Sequence, residues 1–196
     1  MELVELLQQR RSIPADCLRD PAPAGDDLDA ILRAGVAAPD HDGLRPWRFL
    51  LVRGDARRRL GDVFAEAARR RAPDLTPEAF ERQRAKPSRA PLIIVVAARI
   101  DPDNARVPEI EQVLSAGAAL QQMQLAASAL GYGAIWLTGP NAHDGGVTEA
   151  LGLGLDDRVV GFLYLGTAAA PPAAAVRPDP AEHASEWTEP CSYDTV

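Results

Sequence analysis

The chain has 196 residues, with 21 Lys+Arg against 28 Asp+Glu for a formal net charge of −7, and 46% of it is hydrophobic. That is the profile of one globular domain long enough to bury a core, and the negative balance argues against a nucleic-acid binder, whose affinity rests on neutralising phosphates. No apolar run approaches the roughly 20 residues that span a bilayer, and the order Glu2, Glu5, Arg10, Arg11 reverses that of a secretory leader, so the expectation is a cytoplasmic, soluble protein.

Leu3, Leu6 and Leu7 have the spacing of a first amphipathic helix, ending near Arg11. Pro14 and the segment Asp20-Pro21-Ala22-Pro23-Ala24-Gly25 are breakers, after which Asp26 or Asp27 can cap a helix that buries Leu28, Ile31 and Leu32. Pro39 to Pro46 reads as a loop, and Phe49-Leu50-Leu51-Val52 as a strand. A long helix runs from Asp55 to about Ala72, and Thr76-Pro77 caps the next. Leu92 to Ala98 is apolar throughout, which predicts a central strand covered on both faces. The longest helix spans roughly Pro108 to Leu130, small-residue rich at Ser115-Ala116-Gly117-Ala118-Ala119, with Gly131 ending it. Ala134 to Leu137 is a short strand, Gly145 to Leu151 a short helix, and Val159 to Leu165 the last core strand. Helices alternating with strands give an α/β or α+β class with a helix-covered sheet. From Ala168 onward, alanines and prolines preclude a buried element. That stretch is either a tail or an arm that docks through Trp187 and Tyr193 on a second copy.

Twenty arginines stand against one lysine, Lys86, so arginine clusters carry little information. Arg57-Arg58-Arg59 and Arg69-Arg70-Arg71 read as a solvated helix face. Cys17, Cys191 and the three histidines form no metal-binding spacing. Three features rise above this background. Arg10-Arg11-Ser12, at a helix end, offers planar donors for a phosphate or cations complementing the helix dipole. His41 lies in a proline-bounded loop, as a ligand or acid–base group or simply solvated. Trp136-Leu137-Thr138-Gly139-Pro140 ends a strand where main-chain N–H groups become free, or is a plain core strand with a turn. No phosphate-binding glycine loop, dinucleotide fingerprint or nucleophile elbow is present.

The order and spacing of Arg10-Arg11-Ser12, Ile31-Leu32-Arg33-Ala34-Gly35, Ala38-Pro39-Asp40-His41, Pro46-Trp47, Arg89-Ala90-Pro91-Leu92, Ser115-Ala116-Gly117, Ile135-Trp136 and Val160 to Thr167 resemble the flavin-dependent nitroreductase family over nearly the whole chain. The resemblance implies an α+β nitroreductase-like fold, with an FMN-binding domain over residues 1–167 and an extended arm over 168–196 exchanged in a homodimer. It implies two FMN sites at the subunit interface and NAD(P)H as co-substrate. Acceptors would be nitroaromatics, quinones or similar flat electrophiles, reduced by two electrons in a ping-pong cycle. Arg10, Arg11 and Ser12 would approach FMN from one subunit, with Arg177 on its phosphate and Trp136, Leu137 and Thr138 along its ring. Ala37 and His41 would come from the other subunit. No side chain is singled out as catalytic. The family pattern has arginine where this chain has Ala37 and Leu137, and a lysine or arginine where Pro14 stands. Those losses leave a second reading open, a flavin-binding or flavin-sequestering protein with little turnover.

Overall fold

Seven consecutive apolar residues, Leu92–Ala98, form β3, and every one of them is buried. A computed structural model describes residues 2–170 and 176–187; Pro171, Pro172, Cys191 and Tyr193 lie outside the described residues. Around β3 the chain runs α1 (Leu3–Gln9), β1 (Leu18–Arg19), α2 (Gly25–Val36), β2 (Trp47–Arg53), α3 (Asp55–Arg71), α4 (Pro77–Ala85), β3, α5 (Glu109–Ala129), β4 (Gly133–Leu137), α6 (Gly145–Ala150) and β5 (Arg158–Ala168). The strands lie in the order β4, β5, β3, β2, with β1 beside the far end of β5, and every pairing is antiparallel. The class is therefore α+β.

Alternation along β3 explains why both faces are covered. Leu92, Ile94, Val96 and Ala98 point into a cluster with Leu28 and Ile31 of α2 and Ala116, Leu120 and Met123 of α5. Ile93 and Val95 point the other way, to Leu60 and Phe64 of α3, Val147 of α6 and Phe162. Phe64 and Phe162 meet edge to face at 5.1 Å between centroids, a favoured aromatic geometry. An antiparallel sheet often leaves one face to water; here helices occupy both.

The β3–β5 register breaks between Val96, opposite Gly161, and Ala97, opposite Val159. Val160 is the extra residue of a β-bulge. The indole N–H of Trp136 donates to the Val160 carbonyl at 3.3 Å, and Gly161 admits the indole, since a Cβ there would lie 2.1 Å from Trp136 Nε1.

Several expectations are corrected. α1 stops at Gln9 rather than Arg11, and the two-residue strand β1 was not anticipated. α2 starts at Gly25 with no side-chain cap from Asp26 or Asp27; Asp27 instead accepts the Tyr132 hydroxyl at 2.7 Å. β2 begins at Trp47 because Trp47 pairs with Ala98, and β5 continues past Leu165 because Thr167 and Ala168 pair with β1. The arginine-rich α3 is not a solvated face throughout. Arg57 donates to the Ala90 carbonyl at 2.6 Å, and Arg70 and Arg71 reach Asp144.

Candidate functional site

Arg10 terminates α1, its N–H still bonded to the Leu6 carbonyl at 2.9 Å. Beyond it the chain extends along β4, where the Ile13 N–H donates to the Ala134 carbonyl at 2.9 Å. Arg11 turns back to donate to the carbonyls of Gln8 and Gln9, each at 2.9 Å, which satisfies the open C-terminal end of α1. Arg177 donates to the Arg10 carbonyl at 2.7 Å, so the described part of the C-terminal segment returns to the N-terminal one. Arg10 itself is half-buried, and its Nη1 is buried with no hydrogen-bond partner among the described residues. Burial, then Arg177, then Arg11 lower its pKa. A buried guanidinium nitrogen without an acceptor among the described residues, beside two more guanidiniums, has the chemistry to accept an anion. Ser12 lies exposed next to it.

β4 supplies a second set of donors. One side of the strand pairs with β5, and among the described residues the other is open apart from the Ile13 bond. In an antiparallel ladder a residue's N–H and C=O point the same way, and the direction alternates along the strand. Because the Ala134 carbonyl faces Ile13, the main chain of Trp136 faces the open edge too. The indole of Trp136, by contrast, is committed to Val160 and the α5 face, and Leu137 packs half-buried toward α3. Thr138 is exposed, and Gly139 turns the chain with φ +71°, a conformation that favours glycine.

Ala37 and His41 do not join this group. Ala37 ends α2; His41 opens a 3-10 turn whose Nδ1 lies 2.5 Å from Glu111 Oε2 of α5. Ser115 donates to the Pro39 carbonyl at 2.7 Å, and Arg106 pairs with Asp42 at 3.1 Å, so this loop is fastened to α5 and the segment before it. The loop leads into β2, which is separated from β4 by β3 and β5, three strand spacings or roughly 14 Å. Within one chain the sequence-predicted set thus divides in two, with Arg10, Arg11, Ser12, Trp136, Leu137, Thr138 and Arg177 on one edge and Ala37 and His41 on the other. A hollow of about 570 Å³ lies beside the second group, bounded by Ala38, Arg45 and Trp47.

Sequence reasoning missed the residues that fasten the turn after β4. Asp144 accepts from Arg71 and, at 3.2 Å, from Arg70; Arg71 also donates to Asn141 at 2.7 Å. Burial acts to raise the Asp144 carboxyl pKa, but hydrogen bonds from Arg71, the Val147 N–H and Arg70 outweigh it and hold the group below the ordinary range. The position of Asp144 three residues before Val147 was a readable helix-cap signal; its arginine partners, more than 70 positions away, had none. Lys86 sits close by, half-buried, its pKa lowered first by burial and then by Arg89 and Arg71.

The residues present fit FMN. Arg10, with Arg11 and Arg177 beside it, brings positive charge and a buried donor without an acceptor among the described residues, which suits a phosphate, and the β4 edge could offer donors to the polar rim of a flat ring. Among the described residues no group of His, Cys, Asp and Glu could hold a metal ion, and no helix is long and apolar enough to cross a membrane.

Comparison with known proteins converges on one family. Residues 7–167 match the model of the Nitroreductase family. The chain is 43% identical to YdjA of Escherichia coli (strain K12), provisionally named an NAD(P)H nitroreductase, over 92% of this chain and 96% of that protein. A nitroreductase-like family protein from Bacillus cereus superposes with a TM-score of 0.81 at 25% identity, covering 96% of this chain and 97% of the other. A provisionally named nitroreductase from Desulfovibrio desulfuricans, solved in complex with FMN, gives 0.71 at 30% identity over 98% and 99%. With most of its length matched by the family model and by YdjA, the chain belongs to the nitroreductase family, an oxidoreductase family.

Proposed function

We propose that the protein is an FMN-dependent NAD(P)H oxidoreductase that works as a cytoplasmic homodimer with one site at each end of the subunit interface. The observation that carries the reading is the buried Arg10 nitrogen, without an acceptor among the described residues, in the field of Arg177 and Arg11. Arg10, Arg11 and Arg177 hold the phosphate and Ser12 the adjoining chain, while the Trp136–Thr138 main chain holds the ring edge. When bound, FMN would supply the two-electron redox chemistry linking NAD(P)H oxidation to reduction of a nitroaromatic, a quinone or a similar flat electrophile in a ping-pong cycle. Leu137 lends an apolar wall. Ala37 and His41 of the partner subunit complete the site, since their own chain places them at the opposite sheet edge. His41, held by Glu111, is oriented rather than free.

The dimer draws support from α5, whose apolar residues lie on all its sides. Ile110 and Leu114, four residues apart, are each 62% exposed, and Leu3, Leu7 and Val36 are exposed as well. A helix that is hydrophobic all round is covered on all sides in the working assembly. Residues 1–167 then act as the FMN-binding domain and 168–196 as an arm laid on the partner.

A visible spectrum tests the whole reading. Purified protein supplied with FMN should be yellow and should bleach when NADPH is added anaerobically. A yellow protein that NADPH and NADH both leave unbleached would favour the second reading, a flavin-sequestering protein, for which the apolar Leu137 at an arginine position speaks. A colourless protein that ignores FMN would reject both.

A further inference from the structure

The turn between β4 and α6 is a short 3-10 helix, Pro140–His143, entered at Gly139 and followed by Gly145. The Ala142 N–H donates to the Gly139 carbonyl at 3.1 Å. What fastens this turn to the rest of the fold comes from α3. Asp144 is 10% exposed at its side chain, and both carboxylate oxygens are engaged, one by Arg71 and the other by Arg70 and the Val147 N–H at 3.2 Å. The second Arg71 nitrogen donates to Asn141, which is itself buried. One arginine therefore grips the turn at two points three residues apart, and its planar fork fixes orientation as well as distance. The same turn begins at Thr138, directly after the β4 edge whose main chain is open.

We infer that the Arg71–Asp144–Asn141 clasp is a positioning device that fixes the Thr138–His143 turn, so that the main-chain donors at the end of β4 stay aimed at the ring of the bound flavin. This rests on the FMN reading above. Asp144 and Arg71 are positioning residues and touch no ligand. The clasp acts on the ring end of the cofactor, whereas Arg10 and Arg177 act on its phosphate, and that difference makes the two separable.

The test uses the full chain with Arg71→Met, Arg71→Lys and Asp144→Asn, beside Arg84→Met, which breaks the exposed Arg84–Asp62 pair between α3 and α4. Hydrogen exchange of the peptide covering residues 138–146, recorded without added flavin, should quicken about tenfold in Arg71→Met and Asp144→Asn, recover partly in Arg71→Lys, and stay at the wild-type rate in Arg84→Met. FMN and riboflavin should then both bind about tenfold more weakly to Arg71→Met, with a shifted midpoint potential for whichever flavin remains bound. Unchanged exchange would overturn the clasp. Faster exchange with unaltered flavin affinity and potential would reduce it to a purely structural contact and overturn the positioning role. A wild-type protein that binds neither flavin would overturn the FMN reading and this assignment with it, while the exchange rates would still show whether the clasp exists.

Discussion

The guanidinium of Arg177 donates to the main-chain carbonyl of Arg10 at 2.7 Å across 167 positions of sequence. The contact leaves the Arg10 side chain free to point elsewhere, and it sets a second positive charge beside it. In the proposed site both effects favour a phosphate, because the partners that burial took from Arg10 are of the kind a phosphate would return.

Arg10→Ala should therefore weaken FMN binding by about 1.5–3 kcal/mol, roughly ten- to a hundredfold. Riboflavin, which lacks the phosphate, should lose little. Arg59→Ala, on an exposed stretch of α3, should change neither affinity; Arg57 is unsuitable as a control because it is bonded to Ala90. Fluorescence titration with the two flavins decides the matter, and equal losses for both would move Arg10 away from the phosphate.

Gly161→Ala should destabilise the fold by about 1–3 kcal/mol, because the new methyl group meets the Trp136 indole and, at 3.1 Å, Leu120 Cδ1. The indole must give way, so its bond to the bulged Val160 carbonyl is lost. Urea unfolding followed by tryptophan emission should show a lower midpoint together with a changed native spectrum.

Truncation after Ala170 spares Thr167 and Ala168, which pair with β1, and removes Arg177 and Trp187. In a single chain Trp187 is 81% exposed, as an arm laid on a second copy would be. The shortened protein should lose dimer in light-scattering chromatography and hold FMN less tightly. A truncated dimer with full FMN would make the segment a tail.

Asp144 gives a pH signature. Its carboxyl is held below the ordinary range in the folded protein, so its stabilising contribution is complete above the unfolded value near 4 and is lost as pH falls through the folded one. Asp144→Asn should be less stable than wild type by about 1–3 kcal/mol at neutral pH. In urea titrations that gap should close as the buffer is taken below pH ~4.

The strongest local patterns in the sequence marked real elements. Leu92–Ala98 had no polar residue to suggest a wet face, and it is covered on both sides. Thr76-Pro77 marked the start of α4, and the Thr76 hydroxyl accepts from the Ala79 N–H at 3.2 Å. What escaped was set by partners distant in sequence. Trp47 joins β2 because Ala98 lies opposite, and the Val160 bulge depends on an indole from another strand. Arg70 and Arg71 looked like solvated charge because their counter-ion lies more than 70 residues further on. The candidate site residues could be named from the sequence by type, while their division between two sheet edges needed the topology.

The same seven residues that make β3 so well buried form, in a nascent or unfolded chain, an uncharged β-prone segment of the length that seeds cross-β association. Pro91 stands at its entrance and Arg99 at its exit, as gatekeepers that interrupt pairing between copies. Arg99 is exposed in the folded protein, so replacing it with valine would lengthen the apolar run without disturbing the native core. The damage would fall on yield and refolding, through inclusion bodies and lost recovery at high concentration, rather than on the thermal midpoint of whatever protein does fold.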